Sequence, residues 1–153
     1  MFKSSILILI AFVCQLSITS SAADQNGAKK IKVLLIDGQN NHDWMRCSPV
    51  MMDTLNVTGR FSIERAIVTR FEVDKFNPDF KKYDVVLSNY NGLPWKKETK
   101  ESFVKYIKEG GSLVVVHAAD NSFPEWKEFN EMIGLGGWGG RNEKDGPYIY
   151  WKD

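Results

Sequence analysis

The sequence predicts an α/β domain built on a doubly wound, mainly parallel sheet. Short apolar runs alternate along the chain with amphipathic segments of helical period, and this alternation is typical of βαβ units. The first run, residues 31–37 (IKVLLID), is apolar almost throughout, as a parallel strand covered on both faces requires. Both features indicate a sheet that carries helices on its two faces.

The N-terminal segment predicts export and is not expected to join the fold. Lys3 precedes an apolar run at 6–13, and small residues follow, which is the pattern of a secretory signal peptide over residues 1–23. The run is short for a spanning helix, although an uncleaved membrane anchor is the alternative. Residues 24–30 are polar and predict a disordered leader, so the domain is expected to occupy residues 31–153. The protein is therefore expected in the periplasm or outside the cell, with no stable membrane anchor after cleavage.

The charge balance and the cysteines exclude several kinds of partner and site. The formal net charge is +1, and cleavage of the signal would remove Lys3 and leave no net charge. Without an acidic or basic tail, nothing indicates binding of nucleic acid or of an anionic membrane surface. Of the two cysteines, Cys14 would leave with the signal, so Cys47 could form neither an intrachain disulfide nor a zinc site made of cysteines.

The elements follow in order from the first strand. Ser48 is expected to cap the first helix, with Pro49 in the first helical position. Met51 and Leu55 then face one side of that helix, and Gly59 ends it. The next expected elements are a strand at 61–68, a strand at 83–89, a helix at 99–108 and a strand at 113–116.

Glycines and caps bound the two later helices. Gly110 and Gly111 are expected to stop the second helix, because glycine adopts the left-handed C-cap conformation without a Cβ clash. Ser122 and Glu125 predict a capping box for the last helix, and Gly134 ends it. The apolar stripe of that helix is expected to be Trp126, Phe129 and Ile133.

Polar side chains gather where three predicted strands end. In open α/β sheets, ligands bind beyond the carboxyl ends of the strands. The only two histidines of the chain, His42 and His117, both fall there, with Asp43 and Asp120 close to them in the sequence. We predict these four residues as the catalytic candidates. The predicted substrate-binding residues are Gly38, Trp44, Asn89, Asn91, Gly92, Asn121 and Trp138.

Each catalytic candidate has two chemical roles and a purely structural alternative. Imidazole exchanges protons near neutral pH, so His42 and His117 suit general acid–base chemistry. The same pair could bind a divalent metal such as zinc, with Asp43 or Asp120 as the third ligand. Because His117 follows a buried strand, we expect it to be partly desolvated, with a shifted pKa. Alternatively, His117 could be a core-edge histidine that is hydrogen-bonded to a backbone carbonyl. The two aspartates could simply stabilise turns.

Four segments of the chain resemble the ThuA-like family. They are KVLLIDGQNNHDW, YDVVLSNYNG, YIKEGGSLVVVHAADNSFPEW and IGLGGWGGR, and they span most of residues 31–141. The resemblance implies the class I glutamine amidotransferase-like fold, which is a flavodoxin-like three-layer αβα sandwich, and a role in the utilisation of trehalose and related sugars. Members of the family are usually longer. Because the apolar run at 148–151 looks like the start of another strand, we expect this domain to be partial.

The resemblance also bears on the mechanism. In glutamine amidotransferases a nucleophilic cysteine follows the strand that matches residues 113–116, and His117 occupies that position here. No cysteine, serine or threonine stands there, and no histidine follows later in the chain, so a cysteine–histidine–glutamate triad cannot be assembled. The resemblance therefore supports the fold and argues against glutamine hydrolysis.

Three hypotheses about function remain open. The leading one is an exported protein that acts on a small sugar or an oxidised sugar derivative, trehalose-like or a keto-sugar, through His42 and His117. The second is a non-catalytic carbohydrate-binding or scaffold module of a larger secreted protein. The third is a metal-dependent hydrolase. A homo-oligomer is compatible with all three.

Overall fold

The computed structural model describes residues 29–134 and Gly136, and there it shows parallel strands flanked by helices. The predicted signal peptide, Trp138 and the run at 148–151 lie outside the described residues. The strands are β1 (Ile31–Asp37), β2 (Phe61–Ile67), β3 (Val85–Ser88) and β4 (Ser112–Val115). The helices are α1 (Trp44–Asn56), α2 (Lys97–Lys108) and α3 (Lys127–Ile133), with short 3-10 helices at Val73–Lys75, Phe80–Lys82 and His117–Asn121.

The sheet order is β2-β1-β3-β4, and every strand pair is parallel. The chain crosses from β1 over α1 to β2, and then passes back to the other side of β1 to form β3 and β4. The winding direction therefore reverses between β1 and β3, and a crevice opens at such a point beyond the strands' carboxyl ends. The predicted α/β class, with a doubly wound parallel sheet in a three-layer arrangement, is confirmed.

Alternate side chains of β1 pack on opposite faces of the sheet, as the strand pleat requires. Val33 and Leu35 face α1 and contact Met51 and Leu55, the predicted apolar side of that helix. On the other face lies a larger core that α2 and α3 cover. Its aromatic members are Phe80, Tyr90, Trp95, Phe103, Tyr106, Phe123, Trp126 and Phe129.

The predicted start of the first helix is wrong. The helix begins at Trp44, and Asp43 is its N-cap, with a carboxylate oxygen that accepts a hydrogen bond from the backbone N–H of Arg46 at 3.2 Å. Ser48 lies inside α1 with no exposed surface, and Pro49 also lies inside the helix. Aspartate is at least as good a cap as serine, and the helix tolerates a proline that omits one backbone hydrogen bond because the rest of α1 packs on the sheet.

The predicted capping box of the last helix is also wrong. The helix α3 begins at Lys127 after Trp126, which provides no side-chain cap. The buried hydroxyl of Ser122 instead donates to the backbone carbonyl of Tyr90, while Glu125 is exposed. A buried hydroxyl needs a partner, and the tertiary partner takes precedence over the local cap. The remaining bounds differ from the predicted ones by at most two residues.

The strand β4 is less buried than its apolar sequence predicts. Within the described residues it pairs only with β3, so it forms an edge of the sheet. Val114 points to the same face as Leu87 and is 48% exposed. His117, which follows this strand, is exposed in the described structure, while Ala118 and Ala119 after it are buried.

Buried tyrosine predicts a fall in stability at alkaline pH. Tyr90 has no exposed surface, its hydroxyl donates to the carbonyl of Leu93 at 2.6 Å, and it accepts from the side-chain amide of Gln39 at 2.9 Å. Burial raises the pKa of Tyr90 above its ordinary value, and burial together with a hydrogen bond to Glu64 raises the pKa of Tyr83 to about 12. Unfolded tyrosines ionise near pH 10, so the free energy of unfolding should fall as the pH rises from about 10 towards 12.

The substitution Tyr90→Phe tests this account. At pH 8 it should lower the free energy of unfolding by roughly 1–2 kcal/mol, because the groups of Gln39 and Leu93 lose a partner. Above pH 10 the decline of stability with pH should be shallower than in the wild type. Urea unfolding followed by circular dichroism between pH 8 and 11 measures both effects, and an unchanged pH dependence would show that Tyr90 does not contribute to it.

Candidate functional site

The two histidines lie against each other at the carboxyl edge of the sheet. His42 belongs to the loop between β1 and α1, and His117 begins the 3-10 turn that follows β4. Their ring centroids are 4.6 Å apart, and the ring planes are inclined by 46°. Because all strands are parallel, the loops after β1 and β4 emerge on the same edge, and β3 lies between them. The structure thus brings together two side chains that are 75 positions apart in sequence.

A shallow cavity of about 330 Å³ opens beside this pair. Its volume is at the lower end of the range for small-molecule sites. Four of its lining residues were predicted site residues, while Val115 and Ala118 supply the apolar part. The lining consists of His42, Val115, His117, Ala118, Asp120 and Asn121.

The backbone of His117 adopts a left-handed conformation with a φ of 46°. For a residue with a Cβ this costs about 1–2 kcal/mol, and such strain concentrates at functional sites. The sharp turn directs the histidine away from the end of β4 towards His42. His117 is exposed, so the predicted partial desolvation is wrong for the described structure, because β4 forms an edge there.

Two residues that sequence reasoning missed hold the start of α1. Asp37 ends β1 with no exposed surface, and one of its carboxylate oxygens binds the guanidinium of Arg65 at 2.7 and 2.8 Å. The same guanidinium lies over the ring of Trp44, 5.7 Å from its centroid. Trp44 therefore stacks on Arg65 and does not line the cavity. One feature of the sequence could have indicated this pair. Asp37 ends an apolar strand, so its carboxylate is expected to be buried, and a buried charge requires a partner of opposite charge.

Asn89 is buried, and its amide is engaged by the protein at both ends. Its side-chain oxygen accepts from Asn40 at 3.2 Å, and its side-chain nitrogen donates to the hydroxyl of Ser48 at 3.1 Å. Asn91 makes an exposed contact, in which its amide donates to Asn41 at 3.1 Å. Two of the three predicted substrate-binding asparagines, Asn89 and Asn91, thus bond to the loop that carries His42.

The two predicted site glycines each have a packing reason. Gly38 has a φ of 107°, and a Cβ there would lie 2.4 Å from the backbone nitrogen of Val68. At Gly92 a Cβ would lie 2.4 Å from the Cβ of Gln39. These glycines permit the loops after β1, β2 and β3 to pack closely together.

No group of three or more histidine, cysteine, aspartate or glutamate side chains within residues 29–134 is arranged to hold a metal ion. The carboxylate of Asp43 caps α1, and neither it nor Asp120 completes a metal-binding set with the two histidines. A catalytic zinc site uses three protein ligands, and these residues provide two imidazoles.

The sequence over most of the domain matches one family model, described as ThuA, trehalose utilisation, at residues 32–149. The chain belongs to the ThuA family. A solved ThuA-like protein of Parabacteroides merdae is 46% identical with a TM-score of 0.76, and the match covers 82% of this chain and 46% of the relative. A ThuA-like protein of Bacteroides uniformis shares the fold at 22% identity with a TM-score of 0.52, over 70% of this chain and 45% of that one.

This ThuA-family chain therefore spans less than half the length of either relative. No functionally curated protein matches it significantly. No helix among the described residues is long and apolar enough to cross a membrane.

The strain at His117 predicts an unusual effect of glycine. Glycine adopts a positive φ without a Cβ clash, so His117→Gly should raise the free energy of unfolding by about 0.5–1 kcal/mol. The matched control is His42→Gly, which removes the other ring of the same pair at a backbone position without a positive φ. That control should lower stability by a similar amount, because glycine loses more entropy on folding. Equal destabilisation by both variants in urea unfolding would contradict the strain.

Proposed function

We propose that this ThuA-family protein acts on a small sugar or a keto-sugar, with His42 and His117 as a proton-transfer pair. The observation that carries the proposal is the 4.6 Å separation of the two rings beside a cavity at the carboxyl edge of the sheet. Two exposed imidazoles from distant parts of the chain have no packing reason to meet there. Their meeting on a strained turn supports a chemical role.

The pair suits proton transfer on a carbonyl compound. A neutral imidazole can remove a proton from the hydroxyl-bearing carbon next to a ketone while a protonated imidazole donates one to the ketone oxygen, which gives an enediol. The first imidazole then returns its proton to the former carbonyl carbon, and the second takes the hydroxyl proton of the neighbouring carbon, which becomes the new carbonyl. Both histidines regain their starting protonation states, and the product is an isomeric keto-sugar. Atoms and electrons balance without an oxidant or a reductant. Asp120 and Asn121 line the same cavity and can bond to sugar hydroxyls.

The family description supports a sugar as the ligand. The matching family model is described by trehalose utilisation, and the lining combines imidazole, carboxylate and amide groups with two small apolar residues.

We also propose that residues 1–23 direct export, so that the protein encounters the sugar in the periplasm or outside the cell. Sequencing the mature N-terminus in the native host tests this, and an N-terminus at Met1 would contradict it.

Ligand-dependent stabilisation tests the sugar site. The full chain should melt at a higher temperature with one member of a panel of trehalose, glucose and their keto derivatives, since a ligand at 100 times its Kd adds about 2.7 kcal/mol. His42→Ala and His117→Asn should abolish this gain, and asparagine is chosen because it tolerates a left-handed φ. The control is Lys108→Ala. Lys108 is exposed at the C-terminal end of α2 and does not line the cavity, so this variant should retain the full gain. A sugar that stabilises both histidine variants as well as the wild type would refute the site.

A metal-dependent hydrolase is the second candidate, and the adjacency of the two imidazoles favours it. Two neighbouring histidines can supply two of the protein ligands of one zinc ion. Protein purified without chelators should then contain one zinc per chain, and His42→Ala should lose it. The absence of stoichiometric metal from freshly purified protein would eliminate this candidate.

A further inference from the structure

Hydrogen bonds connect the backbone of His42 to the core of the domain. The His42 backbone N–H donates to the side-chain oxygen of Asn40 at 2.9 Å. The side-chain nitrogen of Asn40 donates to Asn89, to its backbone carbonyl at 3.0 Å and to its side-chain oxygen at 3.2 Å. Asn40 thus receives one bond from the histidine loop and returns two to the end of β3.

The chain of bonds ends on groups that cannot move freely. Asn89 is 6% exposed, and its backbone N–H donates to the carbonyl of Ile36 in β1 at 2.9 Å. Its side-chain nitrogen donates to Ser48, which has no exposed surface inside α1. Buried polar groups keep their partners because an unmade bond costs the full desolvation penalty. Asn89 is therefore a fixed point between β1, β3 and α1.

The other histidine is held by the neighbouring residue of the same strand end. The backbone carbonyl of Ser88 accepts from the N–H of Val116 at 2.9 Å, and Val116 directly precedes His117. Ser88 and Asn89 are consecutive. One short segment at the end of β3 thus holds both histidine loops, through the backbone for His117 and through the Asn40 side chain for His42.

We infer that Asn40 is a positioning residue that sets the distance between His42 and His117. The position needs an acceptor for the His42 N–H and a donor for Asn89 on one short planar group, and asparagine provides both. An aspartate at position 40 could still accept from His42, but its second oxygen would face the two oxygens of Asn89. The inference goes beyond the proposed function, because it concerns the pair's geometry whatever the ligand.

The experiment compares Asn40→Asp with Asn41→Ala in the full chain. Asn41 lies in the same loop, and its bond to Asn91 is exposed, so its loss leaves the connection to Asn89 intact. In protein with isotope-labelled histidine, the wild type should show a nuclear Overhauser effect between the two imidazole rings. Asn40→Asp should lose it, and Asn41→Ala should retain it. Asn40→Ser, which is too short to reach both partners, replaces Asn40→Asp if the latter does not fold.

Two results would overturn the inference. One is an Overhauser effect that persists in the folded Asn40 variant, and the other is its equal loss in Asn41→Ala. If a sugar binds the wild type, Asn40→Asp should also weaken it roughly tenfold to a hundredfold, as misplaced groups do. A wild type that binds no sugar defeats the proposed function, while the ring-to-ring signal still decides the role of Asn40.

Discussion

The hydrogen bonds at the carboxyl end of β3 are the constraint on which the candidate site depends. β3 lies between the two strands whose loops carry the histidines, so its last residues are within reach of both. Ser88 holds the loop of His117, and Asn89 holds the loop of His42 through Asn40. The reversal of winding beside β1 opens the space above these residues. The fold thus supplies the location, and two adjacent residues fix the spacing within it.

Local departures from ideal geometry build the rest of the site. The left-handed backbone of His117 turns its ring towards the crevice, and the positive φ of Gly38 lets the chain leave β1 against the backbone of Val68. Behind the pair, buried Asp37 and Arg65 hold the first residue of α1. A strained residue persists only when the surrounding structure over-determines it. Around His117 the bond of Val116 to Ser88 and the burial of Ala118 and Ala119 provide that constraint.

Periodic features of the sequence predicted the fold well. The pattern of apolar runs and helical segments reflects which side chains are buried, so it can be read from the sequence alone. In a parallel sheet the loops after β1 and β4 then emerge at the same carboxyl edge, where His42 and His117 lie. Caps were less predictable, because Ser48 and Ser122 satisfy their hydroxyls through tertiary partners that no local pattern reveals. The pairing of Asp37 with Arg65 likewise depends on the register between β1 and β2. The exposure of Val114 depends on which strand flanks β4, which its own sequence does not encode.

The central claim is that the two histidines form one ligand site. The most direct measurement is a titration of the isotope-labelled full chain with a stabilising sugar, followed through the ring signals of histidine and tryptophan. The account predicts that the largest shifts occur at both His42 and His117, while the ring of Trp126, which packs under Lys100 between α2 and α3, stays unchanged. Saturable shifts at Trp126 with both histidines unaffected would place the ligand elsewhere and contradict the account.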